Sequence, residues 1–304
     1  FKQKTAYEML RSLVGSEMCI RDRPPMVQEA LIECLGGFYK QEGVKALLVD
    51  AFTKERSIAV RLGALRGLRR CLENAFAESD ARLLPQFLSA MQSTKDPELR
   101  LEAIRVVEII LRNLPAENRG AQLVGAKSLL KNILEQSESD DEVQMAVQLL
   151  LRMVDADVTA ALLKAAKPRP GTTLSVGTYR MLSDALGEVL LQLRPTAKRE
   201  ETKRTVADIR AHFLWLLDPR NNIPIDFRRS AVFAFKMWPI EFDRTDIAQA
   251  LVALLAVEKD AAFAAEIEDA LQWLTGQRFR VRDLEKKQEV PDINAWNKWI
   301  ENNK

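Results

Sequence analysis

"KDPELRLEAIRVV", residues 95–107, is the stretch on which the fold turns. Asp96 has the short acceptor side chain that caps a helix N-terminus. Pro97 fits the first helical turn, where its missing N–H is not needed. Leu99, Ala103 and Val107 then recur every four residues, so they share one helix face. Ala103, in the middle of that face, lets a neighbouring helix approach closely.

The same pattern recurs along the chain. Six segments align on an apolar anchor, with a small or aliphatic residue four positions on and another apolar residue eight positions on. They are "VQEALIECL" (27–35), "VRLGALRGL" (60–68), "LRLEAIRVV" (99–107), "VQMAVQLLL" (143–151), "FRRSAVFAF" (227–235) and "FAAEIEDAL" (263–271), with a looser seventh starting at Tyr179. The clearest repeat positions are Val60 with Ala64, Leu99 with Arg100 and Ala103, Val143, and Phe227 with Arg228 and Ala231. Arg61 and Arg180 also follow an anchor directly, whereas Gln28 and Gln144 replace the arginine. Successive anchors lie 33 to 48 residues apart, which is where two-helix repeats fall.

Between these segments run further amphipathic stripes: Val44, Leu47, Leu48, Ala51, Phe52; Leu84, Phe87, Leu88, Met91; and Ile247, Ala250, Leu251, Leu254, Leu255. Short breaks containing proline separate them, as at "KPRPG" (167–171) and "LRPTAK" (193–198). No alternating β-branched run with hairpin turn chemistry stands out, so no sheet is expected. One helical pair cannot bury its apolar faces alone, whereas a stack of pairs shares a continuous core.

Composition narrows the function classes. Of 304 residues, 47% are hydrophobic and 29% charged, enough to bury a core and too apolar for an intrinsically disordered chain. The 45 basic and 43 acidic side chains leave a formal charge of only +2, which argues against nucleic acid as a general partner. No segment reaches the about 18 apolar residues of a membrane span. Cys19, Cys34 and Cys71 are too scattered for a disulfide framework or a thiolate zinc site. His212, the only histidine, lies in "ADIRAHFLWLLD" and suits an ordinary helix position better than a catalytic one. With no Gly-rich phosphate loop, ligand-spaced metal set or nucleophile elbow, neither cofactor nor metal is expected.

The run Asp96-Pro97-Glu98-Leu99-Arg100, followed by Ala103, Ile104 and Val107, resembles the bacterial HEAT-like repeats, whose motif reads Asp-Pro-x-x-Φ-Arg-x-x-Ala-Φ-x-x-Φ. The end of the chain resembles planctomycete-type HEAT-repeat proteins through Leu274, Thr275, Gly276, Gln277, Phe279, Asp292, Trp296 and Trp299. "RVRDLEKKQEV" stands as an insertion in the family's shorter spacer. The resemblance implies an all-α protein: an α-solenoid of about six to seven HEAT-like helical pairs over 24–275. A C-terminal cap over 276–304 follows, with Gly276 ending one helix and Asp292 capping a last helix that carries both tryptophans.

Residues 1–23 stand apart. "LVGSEMCIRDR" (13–23) resembles one translated frame of a transposase-based sequencing adapter, so 1–23 is expected to be artefact, with the genuine array starting near Pro24. On that expectation Leu31, Ile32 and Leu35 lose part of their cover. The compartment is left open between cytoplasm and periplasm.

For function, the resemblance implies a non-enzymatic scaffold that mediates protein–protein interaction through the concave face lined by the second helices, its partner being another protein. The alternatives are a HEAT-like DNA-repair glycosylase or nucleic-acid-binding solenoid, with Trp215, Asp218 and Arg220 as nearest candidates, and a bilin-lyase-like HEAT protein. Two surface features are candidate binding sites. Arg66, Arg69 and Arg70 are i, i+3, i+4 neighbours that make a basic cluster. Trp296 and Trp299 make an aromatic pair, although a packed cap needs the same residues.

Overall fold

The computed structural model describes residues 24–41, 43–114, 120–167, 171, 173–221, 223–236, 238–239, 241–283 and 288–303. The adapter-like stretch and everything before Pro24 lie outside these residues. Fourteen α-helices dominate the described residues: α1 Pro25–Leu35, α2 Val44–Lys54, α3 Ile58–Asn74, α4 Leu84–Ser93, α5 Pro97–Asn113, α6 Gly120–Gln136 and α7 Asp140–Leu150. Then come α8 Ala156–Ala165, α9 Val176–Leu193, α10 Glu200–Leu217, α11 Ile225–Lys236, α12 Thr245–Val257, α13 Ala261–Thr275 and α14 Ile293–Asn302. The described residues are therefore all-α, save for one antiparallel hairpin, β1 Arg280–Asp283 with β2 Gln288–Pro291. No helix is long and apolar enough to cross a membrane among the described residues.

Side-chain caps start many of these helices. Asp96 Oδ1 accepts from Leu99 N at 2.8 Å, and Asp155, Asp260 and Asp292 serve α8, α13 and α14 in the same way. Gly276 ends α13 at φ 72°, a left-handed conformation that only glycine adopts without a Cβ clash.

The seven aligned segments fall on alternate helices: α1, α3, α5, α7, α9, α11 and α13. The chain forms two compact units that meet at Leu149/Leu150, inside the stretch expected as one array. In the first, α1, α3 and α5 pack side by side in one row, α2 lies on α3, and α4 lies on α5 and α6. Phe52 of α2 stacks on Phe87 of α4 with ring centroids 5.3 Å apart. In the second, α9, α11 and α13 form one row and α8, α10, α12 and α14 the other, with α8 on α9, α10 on α11 and α12 on α13. Its core includes the aromatic chain Phe213, Phe235, Trp238, Phe242.

Repeat anchors Val60, Leu99, Val143, Phe227 and Phe263 are all buried, as are Ala64, Ala103 and Ala231 four positions after their own. The first segment departs from this. Val27 and Leu31 are exposed, whereas Gln28 is buried. The cause is a close backbone crossing of α1 over α3. A Cβ on Gly63 would stand 2.3 Å from the Glu29 carbonyl oxygen, and one on Gly36 the same distance from that of Gly67. Glycine, not an apolar stripe, sets the face that α1 turns inward.

The C-terminal segment corrects the expectation of no strand. "RVRDLEKKQEV" contains the two strands, with Val281 opposite Val290. Arg280 fastens the hairpin to the buried carboxylate of Glu268 on α13 through bonds of 2.7 and 2.6 Å. α14 docks on α12 and buries Trp296 and Ile300.

Candidate interaction face

The row α9–α11–α13 presents an open face. On each of its helices the buried stripe recurs with helical periodicity: Phe227, Ala231, Ala234 and Phe235 on α11, and Phe263, Ile267, Ala270, Leu271 and Leu274 on α13. Phe233 and Trp273 are large aromatics that fall off those stripes, and they stay 45% and 73% exposed. Val176 at the start of α9 is 43% exposed. Burying such rings stabilises, so leaving them in water costs apolar area that the fold itself does not recover.

Around Phe233 the three helices leave a groove of about 520 Å³, lined by Val176, Gly177, Arg180, Asp226, Arg229, Val232, Phe233, Lys236 and Glu266. The guanidinium of Arg180 lies 5.9 Å from the Phe233 ring centre. Arg229 Nε is 3.4 Å from Glu266 and Nη2 is 3.8 Å from Asp260, while Lys236 is 3.8 Å from Asp269. Each of these pairs joins α11 to α13 or its cap, and their order along the two helices makes the helices parallel. Phe233 precedes Lys236 by three residues and Trp273 follows Asp269 by four, so the two aromatics bracket that ion pair. Asp184, on the same face of α9, has its carboxyl pushed up by burial, against the pull of Arg180.

The arginine cluster picked out from sequence is not a free basic surface. Arg66 bridges Glu29 of α1, Glu98 of α5 at 2.6 Å and the buried Glu102 at 3.8 Å. Arg69 faces Glu102 at 3.6 Å, and of the three only Arg70 is exposed. The carboxylates of the adjoining helices take up the charge that a local count of arginines leaves open. Trp296 is likewise no surface aromatic. It is fully buried, edge-on to Phe279 with centroids 4.8 Å apart, and Trp299 is half-buried beside it.

Trp215, Asp218 and Arg220 sit together at the end of α10, in the other row. Asp218 accepts from the backbone N–H and both Nε and Nη2 of Arg220, which holds its carboxyl down at about 2. His212 is buried on α10, and neither ring nitrogen has a hydrogen-bond partner among the described residues. Among the described residues no three His, Cys, Asp or Glu side chains are placed to hold a metal ion.

Phe233 and Trp273 are not among the candidate residues above, yet each carries a signal in the sequence, being a large aromatic out of phase with its helix's apolar stripe. No family model, curated protein or solved structure matches the chain.

Proposed function

We propose that this chain is a HEAT-like α-solenoid that serves as a non-enzymatic scaffold, binding another protein through the face of the α9–α11–α13 row. The observation that carries it is the pair Phe233 and Trp273, exposed on adjacent helices of one row beside an open groove. Large aromatics with a polar surround are the residues on which protein interfaces concentrate their energy. Support for the solenoid comes from the alternation of the repeat segments with the other helices and from their side-by-side packing in rows within each unit. The nucleic-acid reading is less favoured. The densest arginine cluster is spent on internal carboxylates, and the Trp215–Asp218–Arg220 group lies away from the aromatic face.

Small-angle scattering tests the architecture. A solenoid of this length gives a radius of gyration well above the roughly 19 Å of a compact globule of 304 residues, and a value at that figure ends the proposal. Site-specific photo-crosslinking from position 273 tests the function. Protein adducts are expected that disappear with Phe233→Asp; nucleic-acid adducts in their place would favour the other reading.

A further inference from the structure

The charge on the same face defines the partner more closely, and this inference rests on the protein-binding proposal above. Three cations, Arg180 of α9 with Arg229 and Lys236 of α11, line the groove. Arg229 already has Glu266 and Asp260 beside it and Lys236 has Asp269, whereas Arg180 is exposed and lies over the Phe233 ring. Glu188, which accepts only from the uncharged Gln192, and Asp226 are exposed on the same face, and neither has a cation within ion-pair distance among the described residues. Two of the three groove cations are thus locally offset, and the carboxylates Asp184, Glu188, Asp226, Asp260, Glu266 and Asp269 outnumber the three.

We infer that the α9–α11–α13 face takes a basic polypeptide segment, one that sets apolar or aromatic side chains against Phe233 and Trp273 and its own lysines or arginines against Asp226 and Glu188. A rim with surplus carboxylate raises the encounter rate with a positively charged segment and repels an acidic one. The same rim repels a phosphate backbone, so nucleic acid is a poor occupant despite the arginines in the groove. The exposed rings supply the short-range part of the affinity, and guanidinium groups of the partner stack favourably on Trp273.

Selection of random dodecapeptides on the immobilised full chain tests both levels, with enriched peptides measured by fluorescence polarisation. The expected outcome is enrichment of net-positive peptides with at least one large apolar residue. Their binding should weaken about tenfold or more with Phe233→Ala or Trp273→Ala, and further with the charge reversals Asp226→Lys and Glu188→Lys. All four side chains are solvent-exposed, and unchanged circular dichroism and melting would show that the fold is retained. Enrichment of acidic or uncharged peptides that still depend on Phe233 or Trp273 overturns the charge assignment and leaves the protein-binding face standing. If no enriched peptide depends on either ring, both fall. A single-stranded or duplex oligonucleotide that competes at low salt and is released by Arg180→Glu overturns the choice of polypeptide over nucleic acid.

Discussion

Arg100 on α5 grips the Glu142 carboxylate on α7 with two prongs, Nε to Oε1 at 2.9 Å and Nη2 to Oε2 at 3.2 Å. Glu142 has no exposed side-chain surface, and Ser137 Oγ adds a third bond at 2.6 Å. The arginine that follows the repeat anchor thus ties one repeat to the next through a buried charge. Removing only one partner leaves that charge buried and short of bonds, which is where ion-pair loss becomes expensive.

Arg100→Ala should therefore cost roughly 2–4 kcal/mol in denaturant unfolding, the upper values being moderated because Arg100 is itself 30% exposed. The double variant Arg100→Met with Glu142→Leu should recover most of that loss, since the orphaned carboxylate is gone. Equal destabilisation by the single and double variants would mean that the pair has no such role.

Gly63 gives a second test. A methyl group there meets the Glu29 carbonyl oxygen at 2.3 Å, a contact that needs the backbone of α1 to move. Gly63→Ala, although it favours the helix locally, should lower stability by roughly 1–3 kcal/mol through overpacking. Gly177→Ala on α9, whose Cβ would meet nothing nearer than 3.5 Å, is the matched control and should be neutral or stabilising. A reversed order between the two would contradict the close crossing.

The helices were legible because each repeats its apolar residues with one period, as Phe263, Ile267, Leu271 and Leu274 do on α13. That signal is local, and what it missed is non-local. The α1 face was misjudged because glycines of α3, more than 30 residues away, decide how α1 lies. Arg66 looked free because its partners Glu29 and Glu98 stand 37 and 32 residues off in sequence. The hairpin escaped because its strands are short and mostly charged, and Arg280 is held by Glu268 rather than by an apolar face.

The tryptophans divide cleanly in the structure, and so should their substitutions. Trp296→Ala removes a fully buried ring packed against Phe279, and should cost roughly 3–5 kcal/mol. Trp273→Ala removes a ring that is 73% exposed, and should change stability by no more than about 0.5 kcal/mol. Iodide quenching gives an independent check, because Trp273→Phe should remove a large part of the accessible fluorescence while Trp296→Phe leaves it. Comparable stability losses for the two alanine variants would place Trp273 in a packed setting and undo its role as a surface anchor.

His212 predicts a pH dependence with a definite sign. Burial first, and Lys167 second, lower its folded-state value from 6.5 to about 4, because the charged imidazolium loses its solvation on burial and faces no hydrogen-bond acceptor among the described residues. The unfolded chain therefore binds a proton that the folded chain refuses between about pH 6.5 and 4. Stability is whole above that window and falls as pH drops through it, by roughly 2–3 kcal/mol between neutrality and the acid end. Beside Phe213 and Trp215, a leucine at this position leaves no orphaned nitrogen. His212→Leu should thus fold at least as well at neutral pH and lose less stability on acidification than the parent by that amount. Urea unfolding of both proteins at matched pH values measures the difference directly, since every other titrating group is common to the two. Parallel curves would show that the imidazole is hydrated or paired in the folded protein.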